Sequence, residues 1–173
     1  MTDIDLERTL ENARHFPAQF QTLHLATCNN TGIPEASYAA YVEYEGSYYI
    51  YISELAKHCS NLKENAHASV LFIESEAETK HPFARQRLTL SCTASECERD
   101  SQEFEIVMAK FSEKFGNFMD MIARLSDFHL YQLTPEQGNF VAGFAKAFTL
   151  TGNDLANITH RNEQGHYTST DEN

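Results

Sequence analysis

The stretch that most constrains this chain is Ile33 to Ser53, where two tyrosine-rich runs, Ile33–Tyr44 and Ser47–Ser53, flank the dipeptide Glu45-Gly46. β-branched and aromatic residues in runs of this length, joined by so short a connection, predict an antiparallel hairpin. The same period of two precedes it: Leu23 and Leu25 alternate with Thr22, His24 and Ala26 and stop at the turn Asn29-Asn30-Thr31-Gly32. Strands are expected again over Ala66–Glu74 and Leu88–Cys97. Phe128–Leu133 and Asn139–Leu150 read as the final pair, separated by the turn Thr134-Pro135-Glu136-Gln137-Gly138. So many short antiparallel strands expose edges unless the sheet closes, so a barrel is expected.

Helical spacing interrupts this pattern in a few places. Thr2 with Asp5 resembles a capping box, and Ile4, Leu6, Leu10 and Ala13 mark an opening helix that Pro17 ends. Glu54–Asn65 carries Leu55, Cys59 and Leu62 at helical intervals, a short surface helix after a strand end. Ser75–Gln86 is a charged loop. Asp100 with Glu103 gives a second capping signature. Phe104, Val107, Met108, Phe111 and Phe115 then form an amphipathic stripe that Gly116 breaks, before Phe118, Met119 and Ile122 resume it. The stripe is the pattern of a helix packed on a core. The expected class is therefore mainly β with helices (α+β), an antiparallel barrel with the helices outside it.

The 173 residues suit a single domain. Its barrel is expected over 1–150, with a polar tail at 151–173 in which Gly165-His166 stands out; such tails fray by default. A net charge of −12 repels a polyphosphate backbone and an anionic bilayer, so neither nucleic acid nor membrane is an expected partner. Cys28, Cys59, Cys92 and Cys97 have no metal-binding or redox spacing and read as reduced thiols. The acidic, weakly apolar N-terminus lacks the pattern of an export signal and no apolar run reaches a membrane span. A cytoplasmic location is the expectation.

Residue chemistry leaves the sites open. Lys57, His58, Ser60 and Asn61 at a helix start suit either an anion or a solvated helix face. Arg85 and Arg87 at a strand start suit a carboxylate or phosphate ligand, or ordinary salt bridges. Asp127 either caps the preceding helix or serves a partner. The histidines lack zinc spacing, and no phosphate-binding, dinucleotide or nucleophile-elbow motif occurs.

Taken together, Thr22–Thr27 (TLHLAT), Ser37–Val42 (SYAAYV), Ile52–Asn65 (ISELAKHCSNLKEN), Phe83–Leu90 (FARQRLTL), Glu98–Ser101 (ERDS), Ser126–Phe148 and the tail NEQGH resemble the haem-utilisation proteins of the HugZ/HutZ type. These belong to the flavin-binding split-barrel superfamily of pyridoxamine-phosphate oxidase. The resemblance runs from about residue 18 to residue 166. It implies a homodimer with haem at the subunit interface and His166, preceded by Glu163-Gln164-Gly165, as axial ligand to the iron. It makes Asp127 the acidic residue that hydrogen-bonds this histidine from the other subunit. A carboxylate on the second imidazole nitrogen fixes the tautomer and strengthens the donor to iron. By the same resemblance Arg87, with Thr22 near it, would hold a haem propionate, and His58 matches a family histidine.

The activity implied is oxidative haem degradation with dioxygen and an external electron donor. Haem storage or delivery, and a flavin-dependent oxidoreductase binding FMN, are the alternatives. Ser60 stands where flavin-binding members carry an arginine ahead of Asn-Leu, which weakens the FMN reading; Lys57 and Arg87 are the remaining candidates for a phosphate.

Overall fold

The computed structural model describes residues 5–161, so His166, the candidate iron ligand, and Thr2, the candidate cap, lie outside the described residues. The opening helix α1 runs from Leu6 to His15 and is capped by Asp5, whose carboxylate accepts from the Arg8 amide at 3.0 Å. Asp5 thus takes the capping role that the sequence placed on Thr2. A 3-10 turn at Phe16–Gln19 follows, with Pro17 in its first turn, where a missing N–H costs nothing.

The strands are β1 (Thr22–Cys28), β2 (Pro34–Tyr44), β3 (Ser47–Ser53), β4 (His67–Ile73), β5 (Arg87–Cys97), β6 (Phe128–Val141), β7 (Ala147–Thr151) and β8 (Asn157–His160). Helix α2 (Lys57–Glu64) joins β3 to β4, and α3 (Gln102–Phe115) with α4 (Phe118–Ile122) lies between β5 and β6. The sheet order is β3-β2-β1-β4-β5-β6, and β6 pairs back onto β3 to close a six-stranded antiparallel barrel. β7 and β8 extend the sheet beyond β6.

The expected turn at Thr134–Gly138 is not a turn. β6 continues through it, because its first half pairs with β3 (Phe128 to Leu133) and its last part, Gly138 to Val141, pairs with β7. Between these, Pro135 faces Cys92 beside a register shift at Ser91/Cys92, at a point where β6 has β5 on one side only. A proline is tolerated there because no ladder hydrogen bond is asked of its nitrogen. What read as the last strand, Asn139–Leu150, is the end of β6, a loop, and most of β7. Residue 150 lies inside β7, and part of the polar tail forms β8, paired to β7 from Phe148↔His160 to Thr151↔Asn157.

Two cores result. One fills the barrel with Leu23, Leu25, Tyr41, Ile50, Val70, Phe72, Leu90 and Leu133. The other lies outside it, where Val42, Tyr49, Tyr51, Cys97 and Leu130 meet Val107, Met108 and Phe111 of α3 and Met119 of α4. β3 is therefore buried on both faces, which its unbroken SYYIYIS run reflects. The aromatic stripe is core as expected at Phe111, partly so at Phe104 and Phe115, but Phe118 is 61% exposed. The cap of α3 is Ser101, accepting from the Phe104 amide at 3.1 Å, in place of the expected Asp100. All four cysteines are free thiols, and burial pushes Cys92 up to about 12 and Cys97 to about 11. No described helix is long and apolar enough to cross a membrane.

Candidate functional site

Three of the residues marked in the sequence gather where α2 covers one end of the barrel. Lys57 reaches Glu35 of β2 at 3.4 Å. His58 sits with Nδ1 3.1 Å from the Ser37 hydroxyl, and its imidazole is held below its ordinary range by burial, an effect that the nearby Glu35 carboxylate opposes. Asn61 is 3% exposed and donates to Thr27 Oγ1 at 2.9 Å, tying α2 to β1. Ser60 faces solvent and donates to the Lys57 carbonyl. The N-cap position of α2 is Ala56, which offers no side-chain acceptor, so Lys57 and His58 begin a helix with uncapped amides.

Asp127 belongs to the same end. It is half-buried just before β6 and accepts a hydrogen bond from the Ser53 hydroxyl on Oδ2 at 2.8 Å. Its backbone carbonyl accepts from the Glu54 amide at 2.8 Å. Oδ1 takes no hydrogen bond from a described residue. Asp127 is thus tethered through one oxygen and open through the other, a geometry suited to accept an N–H from an incoming group. Ser53 was not foreseen, because its contact with Asp127 spans 74 residues and appears only once β3 and β6 are paired.

Next to it lies a cluster that residue spacing does not reveal. His129 stands between two carboxylates, Nδ1 2.5 Å from Glu96 Oε1 and Nε2 2.8 Å from Glu54 Oε1. Lys63 of α2 reaches the same Glu54 oxygen at 2.8 Å. A groove of about 240 Å³ beside the histidine is lined by Glu96, Arg99, Phe104 and Phe128 among others. Arg99 spends its guanidinium on the carbonyls of Ala123, Leu125 and Phe128 and on the Tyr51 hydroxyl, closing the chain after α4.

Thr22 and Arg87 occupy the opposite end. Both begin strands, and the pairings His24↔Leu71 and Ile73↔Arg87 place them on the outward face, separated by β4. Arg87 donates to the Arg85 carbonyl at 3.2 Å, whereas Arg85 is engaged with the Glu74 carbonyl and with Glu76. Of the two arginines, Arg87 is therefore the one available to a ligand. Asp127 is reached from the Cys97 end of β5 and Arg87 starts it; the 11 residues between span about 33 Å at the usual strand rise. One small ligand cannot touch both residues of a single chain.

The outward face between them carries a row formed by Tyr38, His24, Leu71 and Thr89, with Ala36, Ala26 and Ala40 beside it, and Tyr38 is 68% exposed. A separate cavity of about 510 Å³ opens at the barrel end away from α2, lined by Tyr48, Leu88, Leu150, Glu43 and Asp154; of the described site candidates, none lines it.

The closed barrel, its outer helices and the α2 corner define a split barrel of the flavin-oxidase type. Residues 9–142 match the family model of pyridoxamine 5′-phosphate oxidase, and the chain belongs to this family, in the branch of the haem oxygenase HutZ. It is 42% identical over 153 residues to heme oxygenase HutZ of Vibrio cholerae, covering 88% of this chain and 86% of that protein. The crystal structure of HutZ from Vibrio cholerae, described there as the haem storage protein, matches with a TM-score of 0.69 at 40% identity, over 77% of this chain and 92% of that one. ChuZ of Campylobacter jejuni matches with a TM-score of 0.82 at 30% identity, over 92% of this chain but 64% of its own length.

Proposed function

We propose that this chain binds haem between two copies of itself and degrades it with dioxygen and electrons from an external donor, releasing the iron for use. The observation that carries the reading is the Asp127 carboxylate, fixed by Ser53 through one oxygen and open through the other, in a chain that is 42% identical to a haem oxygenase. When bound, haem supplies the iron at which dioxygen is reduced. The chain's own work would be to hold the porphyrin and to orient the iron ligand.

His166 is the residue proposed to donate to iron. Asp127 of the other copy would accept from its second imidazole nitrogen, fixing the tautomer and making the ring a stronger donor. Arg87, with Thr22 near it, would take a propionate by a charge-assisted hydrogen bond. The distance between Arg87 and Asp127 within one chain supports a site shared by two copies, each copy lending its Arg87 to one haem and its Asp127 to the other. Lys57 and His58 remain proposed contacts at the α2 corner, which the buried Asn61 ties to β1 through Thr27. FMN is the weaker cofactor proposal: Ser60 offers no guanidinium to a phosphate, and Asn61 is occupied with Thr27.

Hemin added to the purified chain is expected to give a Soret band that His166→Ala alters strongly and that bleaches when ascorbate or a reductase is added. Normal binding and bleaching by His166→Ala would overturn this mechanism. The description of the Vibrio cholerae structure as a haem storage protein favours a second reading, storage without turnover. It predicts the same Soret band, stable under reductant. A chain that is yellow as purified would point to FMN instead.

A further inference from the structure

We propose that His129 is a positioning residue for Asp127, acting through a Glu54–His129–Glu96 bridge that requires the imidazole ring to donate from both nitrogens. Its meaning for catalysis rests on the haem reading above; its geometry does not.

The barrel interior is layered. Tyr48, Ile50 and Ile52 of β3, Leu88, Leu90, Cys92 and Ala94 of β5, and Tyr131 and Leu133 of β6 all face inward. Strand alternation makes Glu96 and His129 the next layer, and Glu54, just past the end of β3, joins them at the α2 end of the barrel. A polar layer there could simply close the barrel. What distinguishes this one is its proton count. A neutral imidazole has one N–H, so against two carboxylates at 2.5 and 2.8 Å one nitrogen would present a lone pair to a negatively charged oxygen. Both contacts are hydrogen bonds only if the bridge holds one more proton.

We place that proton on the ring, where one imidazolium answers a carboxylate on each side, and Glu54, which also takes a hydrogen bond from Lys63, has the least call for it. The other charged and titratable groups facing the bridge do not replace it. Lys63 is committed to Glu54, and Arg99 to backbone carbonyls. Glu98 adds negative charge to the groove, and Tyr131 is buried and protonated, its phenol pushed up by burial. Cys59 beside it is likewise kept neutral by burial.

The bridge reaches Asp127 by two short paths. Glu54 donates its amide to the Asp127 carbonyl, and the residue before it, Ser53, donates its hydroxyl to Asp127 Oδ2. Ser53 pairs with Phe128 and Ile52 with His129, so the bridge fastens the end of β3 to the start of β6 at the point where Asp127 is held. Without the second ring proton, Glu54 and Glu96 face an uncharged ring and repel across it. The end of β3 is then free to withdraw the Ser53 hydroxyl from Asp127.

The test uses the full chain, with and without hemin. In the hemin-free protein near neutral pH, the His129 ring nitrogens are expected to give the nitrogen-15 resonances of a doubly protonated imidazole. His129→Gln, which keeps one donor and loses the charge, is expected to speed amide exchange at Glu54 and Leu55 by about tenfold while leaving the β1–β2 core unchanged. His129→Arg, a cation with two donor edges, should restore it. Glu96→Gln reaches the same network from a partly exposed position and serves where His129→Gln fails to fold.

With hemin, His129→Gln should shift the pH profile of the Soret spectrum, and His129→Arg should return it toward the original. A neutral tautomer in the starting protein, or unchanged exchange at Glu54 and Leu55 in both His129→Gln and Glu96→Gln, would overturn the proposal. Failure to bind hemin with the exchange effect intact would sink the haem reading and leave the bridge standing.

Discussion

At the scale of single residues, the α2 corner makes two predictions that can be measured without any ligand. Asn61 and Thr27 form a buried hydrogen bond between helix and strand, so Asn61→Ala leaves the Thr27 hydroxyl without its donor. The expected loss is about 1–3 kcal/mol in denaturant unfolding, against less than about 0.5 kcal/mol for Ser60→Ala on the solvent side of the same helix. His58 has its native imidazole held below the ordinary 6.5 by burial. The unfolded chain therefore binds the proton more readily, and stability falls as pH drops below about 6.5, levelling off only beneath the lower native value. His58→Gln should flatten that part of the stability–pH curve; an unchanged slope would remove His58 as its cause. Asp127 was visible as a carboxylate at a strand start, and His58 as a polar residue at a helix start. The reason for their placement was not visible, since Ser37, Ser53 and Glu54 approach them across strand pairings that no local spacing encodes.

At the scale of elements, β6 is where reading along the chain failed most instructively. Thr134-Pro135-Glu136-Gln137-Gly138 contains the residues of a turn, but each has a different use in a strand that changes partners. Pro135 sits at the unpaired step between the β3 and β7 ladders. Gly138 is there for room: a Cβ would lie 3.2 Å from both Leu90 Cδ2 and Leu150 Cδ1. Gly138→Ala should therefore overpack this spot and cost about 1–3 kcal/mol, read as a lower unfolding midpoint, whereas Gly32→Ala strains a turn that has open space around it. Strands β1, β2, β4 and β5 were legible because each keeps one partner on each side and a largely alternating pattern, and β3 was legible as an unbroken aromatic and β-branched run. Helix starts were legible to within three residues, and the capping side chains differ from those expected: Asp5 and Ser101 cap where Thr2 and Asp100 were expected.

At the scale of the whole molecule, the proposed dimer makes the sharpest demand. The outward row through Tyr38, His24 and Leu71 is the face proposed for the second copy, because it lies between Arg87 and Asp127 and presents a ring 68% exposed among alanines. Tyr38→Glu should shift the chain toward monomer in gel filtration and weaken hemin binding by about tenfold or more, because a shared site cannot form on one copy. A Tyr38→Glu protein that stays dimeric with unchanged hemin affinity would remove this face from the interface. The barrel itself was legible from strand count and edge avoidance. Which barrel it was became legible only through resemblance, because closure depends on β3 meeting β6 across some 80 residues of intervening chain.

That late closure has a consequence during synthesis. Until residue 128 and those after it leave the ribosome, β1 to β5 form an open sheet whose two rims, β3 and β5, have no neighbour, and β3 is apolar on both sides. The nascent chain must carry this adhesive surface through the whole time in which α3 and α4 are being made. Truncation before Phe128 is expected to give an insoluble fragment, and truncation after Arg161, which keeps the buried Phe148 and Leu150 of β7, a closed barrel that stays in solution, distinguishable by sedimentation of the two products from cell-free translation.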